Sequence, residues 1–234
     1  MKRIVLVVSL LSILALAAGQ TLVYGVSGQP SSLDSVDAQD GNSLVVAGQI
    51  TENLVYYEMG GTELVPGLAT EWSANDDATV WTFNLREGVE FHDGTPFNAE
   101  AVKFNIDRWN DPNHEFSHRD EGKTFVPWTW VFGGTIGEGS IVDEVIVADE
   151  HTVEIHLNQP APFLPAMFAA IYFQFDSPAA IQEFAAQYGT PSVGSVGTGA
   201  FHFVEWREGE SVAVERYDNY SDGQAGVEQV VFRP

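Results

Sequence analysis

The chain has 234 residues, no cysteine, 44 % hydrophobic and 12 % aromatic residues, and a formal net charge of -23 from 33 acidic and 10 basic side chains. The missing thiols exclude a disulfide framework and any Cys-based metal or redox centre, and so few Lys and Arg cannot assemble a phosphate-binding surface, so nucleic acid is not an expected partner. Enough apolar residues remain to bury a core, so one or two globular units are expected, and the acidity reads as solubility in a salty or exposed compartment.

Met1-Lys2-Arg3 makes a positive start, Ile4 through Ala18 is apolar apart from Ser9 and Ser12, and Ala15, Ala17, Ala18 and Gly19 offer small-residue cleavage points. This is the layout of a secretory signal, shorter than the ~20 apolar residues that cross a bilayer. Residues 1–19 are set aside from the fold as a cleaved signal peptide. A periplasmic or extracytoplasmic location follows, and without cysteine the mature protein is not a Cys-anchored lipoprotein.

Thr21 to Val26 reads as a strand that runs into the turn-rich stretch Ser27 to Asp34, a polar loop of the kind that forms the lip of a cleft. Residues 43–55 have helical character, with Leu44, Ala47 and Leu54 toward a buried stripe. Val80 to Arg86 alternates, with Trp81, Phe83 and Leu85 on one face and Thr82, Asn84 and Arg86 on the other, which predicts a half-buried strand. His92-Asp93-Gly94-Thr95-Pro96 makes a turn before a helix capped by Asn98, whose Val102, Ile106 and Trp109 share a face and whose end is set by Asp111-Pro112-Asn113.

Glu144 to Val147 and Thr152 to Leu157 predict a hairpin around Asp149-Glu150, with Val153, Ile155 and Leu157 inward. Ser177 as N-cap, Pro178 in the first turn and Gly189 at the end frame a helix over 179–188. A second hairpin is expected from Phe201–Trp206 and Ser211–Tyr217 around Glu208-Gly209-Glu210. Strands and helices mix without a repeat, which points to an α/β protein with mixed sheets.

The run Leu64-Val65-Pro66-Gly67-Leu68-Ala69-Thr70-Glu71-Trp72, then Asp76-Asp77, then Trp81 through Val102 with its Phe91-His92-Asp93-Gly94-Thr95-Pro96-Phe97 centre, resembles the signature region of the peptide- and nickel-binding family (family 5) of ABC substrate-binding proteins. Ser32-Leu33-Asp34 is similar to the family's first loop, Thr152 to Leu157 with Pro160 to its mid-domain strand, and Val196-Gly197-Thr198-Gly199-Ala200-Phe201 with Tyr217-Asp218-Asn219-Tyr220 to its return into the first lobe. Ala200 stands where the family usually has proline. The resemblance covers essentially the whole chain after the signal segment.

It implies the first lobe of a periplasmic-binding-protein-like, two-lobed fold: residues 20–47 as the N-terminal part of that lobe, 48–159 as an inserted subdomain, and 160–234 as the return segment, with the second lobe missing. The implied activity is capture of di- or oligopeptides, or of a nickel complex or oligosaccharide, for delivery to ABC permease subunits in the membrane. Such a receptor is a monomer, carries no cofactor and is not an enzyme.

Ser27, Gln29, Pro30 and Ser31 are the lip candidates by position, and Trp128 and Trp130 are aromatic-wall candidates because 125–134 shows no clean period and the inserted subdomain of the resembling family reaches the cleft near there. Core packing competes as the use of both tryptophans. His114-Glu115-Phe116-Ser117-His118 fits H-E-x-x-H, the motif of a secreted zinc hydrolase, but the chemistry needs both imidazoles on one helical face. Here the motif follows Asp111-Pro112-Asn113 and precedes a polar stretch, so a loop without metal is expected. The His92-Asp93 pair is read as part of a strand-to-helix turn rather than of a catalytic site, and His202 as a surface or satisfied histidine.

Overall fold

The computed structural model describes residues 20–234; the expected signal peptide lies outside the described residues. Two sheets organise them. The smaller unit is a mixed sheet in which β1 (Thr21–Gly25) lies parallel to β12 (Gln229–Arg233), followed by antiparallel β11 (Ser211–Arg216) and β10 (Phe201–Arg207). Helix α1 (Gly41–Ile50) packs on it, burying Val46 and Ile50 against Phe201, Trp206, Val212, Val214, Val230 and Phe232.

The larger unit is an antiparallel sheet in the order β5 (Ala69–Ala74), β6 (Val80–Leu85), β8 (Thr152–Leu157), β7 (Val142–Asp149). The alternation that predicted β6 holds: Trp81, Phe83 and Leu85 are buried, and Trp81 and Phe83 pair with Ile155 and Val153 of β8, so both strands turn the same row of apolar side chains inward. Helix α2 (Ala99–Asn110) covers this face with Val102, Ile106 and Trp109, all fully buried. The side chain of Asn98 accepts the Ala101 N–H, satisfying one of the donors a helix start leaves free.

Three elements depart from expectation. The helix placed at 43–55 runs instead from 41 to 50, because the Asp40 carboxylate caps it by accepting from Ser43 N and because Thr51 turns extended to start β2 (Glu52–Asn53). Leu54 is buried without being helical. The stretch from 125 to 134 contains the short helix α3 (Val126–Phe132), and the helix expected over 179–188 is α5 (Pro178–Phe184), broken where Ala185 adopts φ +50° and a 3-10 turn follows. Its Ser177 cap is present, accepting from Ala180 N.

Between β3 (Val55–Tyr57), which pairs with β4 (Leu64–Pro66), and α4 (Leu164–Phe168) the larger core continues past residue 159. Leu164, Phe168, Phe173 and Phe175 belong to it, and β9 (Gln174–Phe175) pairs with β2. Residues 164–175 therefore pack into the larger unit, and the chain then meets the smaller one where Gly189 accepts from Leu33 N and Gly199 N donates to the Ile50 carbonyl, ahead of β10. No helix among the described residues is long and apolar enough to cross a membrane.

Candidate solute-binding surface

The first loop is built as a rigid platform. Ser31 donates its hydroxyl to Asp40 Oδ2 at 2.6 Å and its backbone N–H to Ser43 Oγ at 2.8 Å, so the helix cap also anchors the loop. Ser27 Oγ hydrogen-bonds Asn42 Oδ1 at 3.1 Å. Pro30 is buried, and Gln29 is exposed beside it. The four lip candidates are thus neighbours on one loop, with Ser27 and Ser31 tied down and Gln29 presented to solvent.

Beneath the loop lies a charge network that sequence reasoning missed. Asp34, fully buried, receives a bidentate contact from the equally buried Arg108, at 2.5 Å and 3.2 Å, and Lys123 Nζ stands 3.4 Å away. Burial pushes the Asp34 carboxyl up, but Arg108 and then Lys123 outweigh it and hold it below the usual carboxylate range. Lys123 also reaches Asp37 at 3.3 Å and donates to the Tyr188 carbonyl at 2.8 Å. Asp176 completes the group, receiving the Tyr188 hydroxyl at 2.7 Å; burial, then repulsion by Asp34, raises its pKa to about 8, so its side chain is neutral at pH 7.

The network joins the first loop to α2, to the loop before α3 and to the end of β9. Gly189 completes the seat: its φ is +82° and its carbonyl accepts Leu33 N–H at 2.8 Å, while a side chain there would fall 2.6 Å from Asp34 N. Thr124 N donates to Asp37 at 3.0 Å and Gln39 Nε2 to Thr124 Oγ1 at 3.2 Å, which brings the loop leading into α3 against the first loop. One signal of this network was legible. Arg108 sits beside the inward face of an amphipathic helix, and a buried guanidinium requires a buried anion.

The two tryptophans separate. Trp128 is 0 % exposed, stacked on Phe132 with centroids 3.9 Å apart, and its indole N–H donates to Asn110. It is a core residue, which corrects its reading as an aromatic wall: with α3 helical, positions 128 and 132 share the inward face and carry Trp128 into the aromatic cluster. Trp130 falls on the other face and is 78 % exposed.

His114 and His118 have no common helix. Residues 111–118 form turns, His118 sits at φ +48° with Nδ1 on Glu121 at 3.0 Å, and the His114 ring lies edge-on to Phe104. The described residues contain no group of three ligating side chains that could hold a metal ion. The zinc-hydrolase alternative therefore has no geometry to stand on.

The family model of bacterial extracellular solute-binding proteins, family 5 Middle, matches residues 63–234. The chain belongs to this family. It is 28 % identical over 236 residues to the dipeptide-binding protein of Escherichia coli K12, covering 95 % of this chain and 42 % of that protein. It is 29 % identical to heme-binding protein A of Haemophilus influenzae, covering 92 % of this chain and 40 % of that one. Among solved structures, the periplasmic binding protein DppA from Helicobacter pylori in complex with the peptide STSA superposes with a TM-score of 0.76 at 27 % identity, over 92 % of this chain and 42 % of that one. The chain spans about two fifths of the length of these relatives, and the fold it shares with them is the N-terminal part of a two-lobed, mixed α/β architecture. The relatives so named are binding proteins, not enzymes.

Proposed function

We propose that the chain forms the first lobe of an extracytoplasmic receptor that captures peptides and hands them to the membrane permease of an ABC importer. The observation that carries the reading is the first loop, fixed by the Asp34–Arg108–Lys123 network and the Asp40 cap while Gln29 stays free at its crest. A preformed lip lowers the ordering cost of binding, which is what a receptor closing on small solutes needs. Gln29 and the loop backbone at Ser27 and Ser31 supply polar contacts, and Trp130 supplies an apolar face on the neighbouring segment. The peptide bound to the Helicobacter pylori relative and the name of the Escherichia coli relative support peptides over the other solutes the family takes.

In this reading the mature protein is exported, works as a monomer, and encloses its ligand against a second lobe. Closure recruits contacts from both sides, so a single lobe binds weakly. Isothermal calorimetry with di- to pentapeptides tests it: residues 20–234 alone should bind at roughly millimolar Kd, and the same chain joined to a second lobe at micromolar or better, a gap of about 4 kcal/mol. Equal affinity of the two would move the whole site into this chain and overturn the two-lobe reading.

A further inference from the structure

The helix expected over 179–188 stops early, and nothing in its own sequence stops it there. Ala185, Ala186, Gln187 and Tyr188 can all continue a helix, with no proline or glycine among them. Gly189 then follows at φ +82°, the left-handed conformation in which a glycine ends a helix. The break falls instead on Ala185, whose φ of +50° and ψ of -128° belong to the first central position of a type II′ turn, where glycine is the usual residue. An alanine there is strained, and such strain persists only where the surrounding structure imposes it.

What imposes it is the set of bonds just after the break. The Tyr188 hydroxyl donates to Asp176 at 2.7 Å and accepts the Val196 N–H at 2.8 Å, and its carbonyl accepts from Lys123 at 2.8 Å. Gly189 N donates to the Gly194 carbonyl, and the Gly189 carbonyl accepts the Leu33 N–H of the first loop, both at 2.8 Å. An unbroken helix would give the amides of Ala186, Gln187 and Tyr188 the carbonyls of Gln182, Glu183 and Phe184. Winding it requires Ala185 to turn from φ +50° to about -63°, which redirects all that follows, so Gly189 and Leu33 cannot keep their bond in both arrangements.

We propose that residues 185–189 are a two-state latch for the first loop: unwound, they seat it through Gly189 and Leu33; wound onto α5, they release it. Local helix preference favours the wound state and the remote tethers favour the unwound one, which is the conflict a bistable element needs. The coupling is reciprocal, so whatever holds the first loop off its seat favours the longer helix. That the released loop is the lip of a binding cleft rests on the function proposed above, whereas the latch is tested without any ligand.

Amide hydrogen exchange of the full chain, read by NMR at Leu33, Ala186 and Gln187, is the test. Ala185→Gly relieves the strain of the unwound state and disfavours the wound one, so the Leu33 amide should exchange about fivefold more slowly. Tyr188→Phe removes two of the tethers, so the Leu33 amide should exchange about tenfold faster. In the same variant Ala186 and Gln187 should exchange more slowly, because they gain helical partners. Opposite signs within one variant are the signature, since a change that merely loosened the fold would speed all three. Should Tyr188→Phe fail to fold, Ala185→Gly decides alone. An unchanged or faster Leu33 amide in Ala185→Gly, or changes of one sign throughout Tyr188→Phe, would overturn the latch.

Discussion

The two cores of this chain are built on different terms. The larger one surrounds an antiparallel sheet with fully buried rings: Trp109 alone contacts Trp128, Phe173 and Phe175, and Phe132 and Phe168 close the cluster. The smaller one is a mixed sheet whose edge strand β1 leaves Leu22 at 48 %, Val23 at 57 % and Tyr24 at 48 % exposure. The antiparallel sheet closes within residues 69–157 by pairing β6 with β8, whereas the small sheet closes only by a parallel pairing of residues 21–25 with 229–233. One core is therefore packed for stability on its own elements, and the other depends on the two ends of the described chain meeting.

That contrast can be broken by measurement. The largest effect is expected from Trp109→Ala, which should cost about 3–5 kcal/mol in a urea titration because the ring is fully buried among aromatics. Trp81→Ala should approach it and Thr82→Ala, on the opposite face of β6, should fall below ~1 kcal/mol. Comparable losses at 81 and 82 would mean that the inward face of the sheet has been misread.

Next comes the link between the cores. Arg108→Met leaves the Asp34 carboxylate buried with Lys123 alone, and the expected loss is about 3 kcal/mol. A loss near zero would make the network an ornament of the fold rather than its clasp. The double variant Arg108→Met, Asp34→Leu should recover much of it, since an apolar pair removes the stranded charge.

The pH dependence is smaller per unit and has a definite sign. Asp176 has a folded value of about 8 against an ordinary 3.8, so the folded chain retains a proton that the unfolded chain releases, and stability from this group falls as pH rises toward 8 and is flat beyond. The slope is at most about 1.4 kcal/mol per pH unit. Asp34, held below the ordinary range, stabilises the fold at pH values above that range, loses this contribution only as the solution becomes acid, and is constant over this window. Urea midpoints from pH 6 to 9 should therefore decline in the native chain and stay level in Asp176→Asn; parallel curves would remove Asp176 from the titration. Smallest of all, Val23→Thr on β1 and Trp130→Ala on α3 should each change stability by no more than about 0.5 kcal/mol, since both side chains are exposed.

Much of this was legible before any coordinates. The β6 alternation, the Asn98 and Ser177 caps, both hairpins and the inward stripe of α2 rest on interactions within a few residues, and each occurs where the pattern placed it. The helix drawn from 43 to 55 ran too far because Leu54 fits a helical stripe equally well; what ends α1 is Thr51, which turns extended while its hydroxyl bonds both the Ala47 carbonyl and the distant Gln174. The loop after β1 falls where the turn-rich residues put it, but nothing local marked Asp34 as its foundation.

Sequence alone determined the secondary elements, the acidic and thiol-free character, and the family resemblance, because periodicity, capping and turn chemistry act over one or two turns of chain. Only the tertiary structure decided which tryptophan is core and which is surface, that Asp34 and Arg108 meet across 74 residues, and that the His92 and His202 rings lie edge to face. Those outcomes depend on how helices and sheets pack, and a buried charge or an orphaned ring nitrogen acquires its meaning only from neighbours that are remote in the chain.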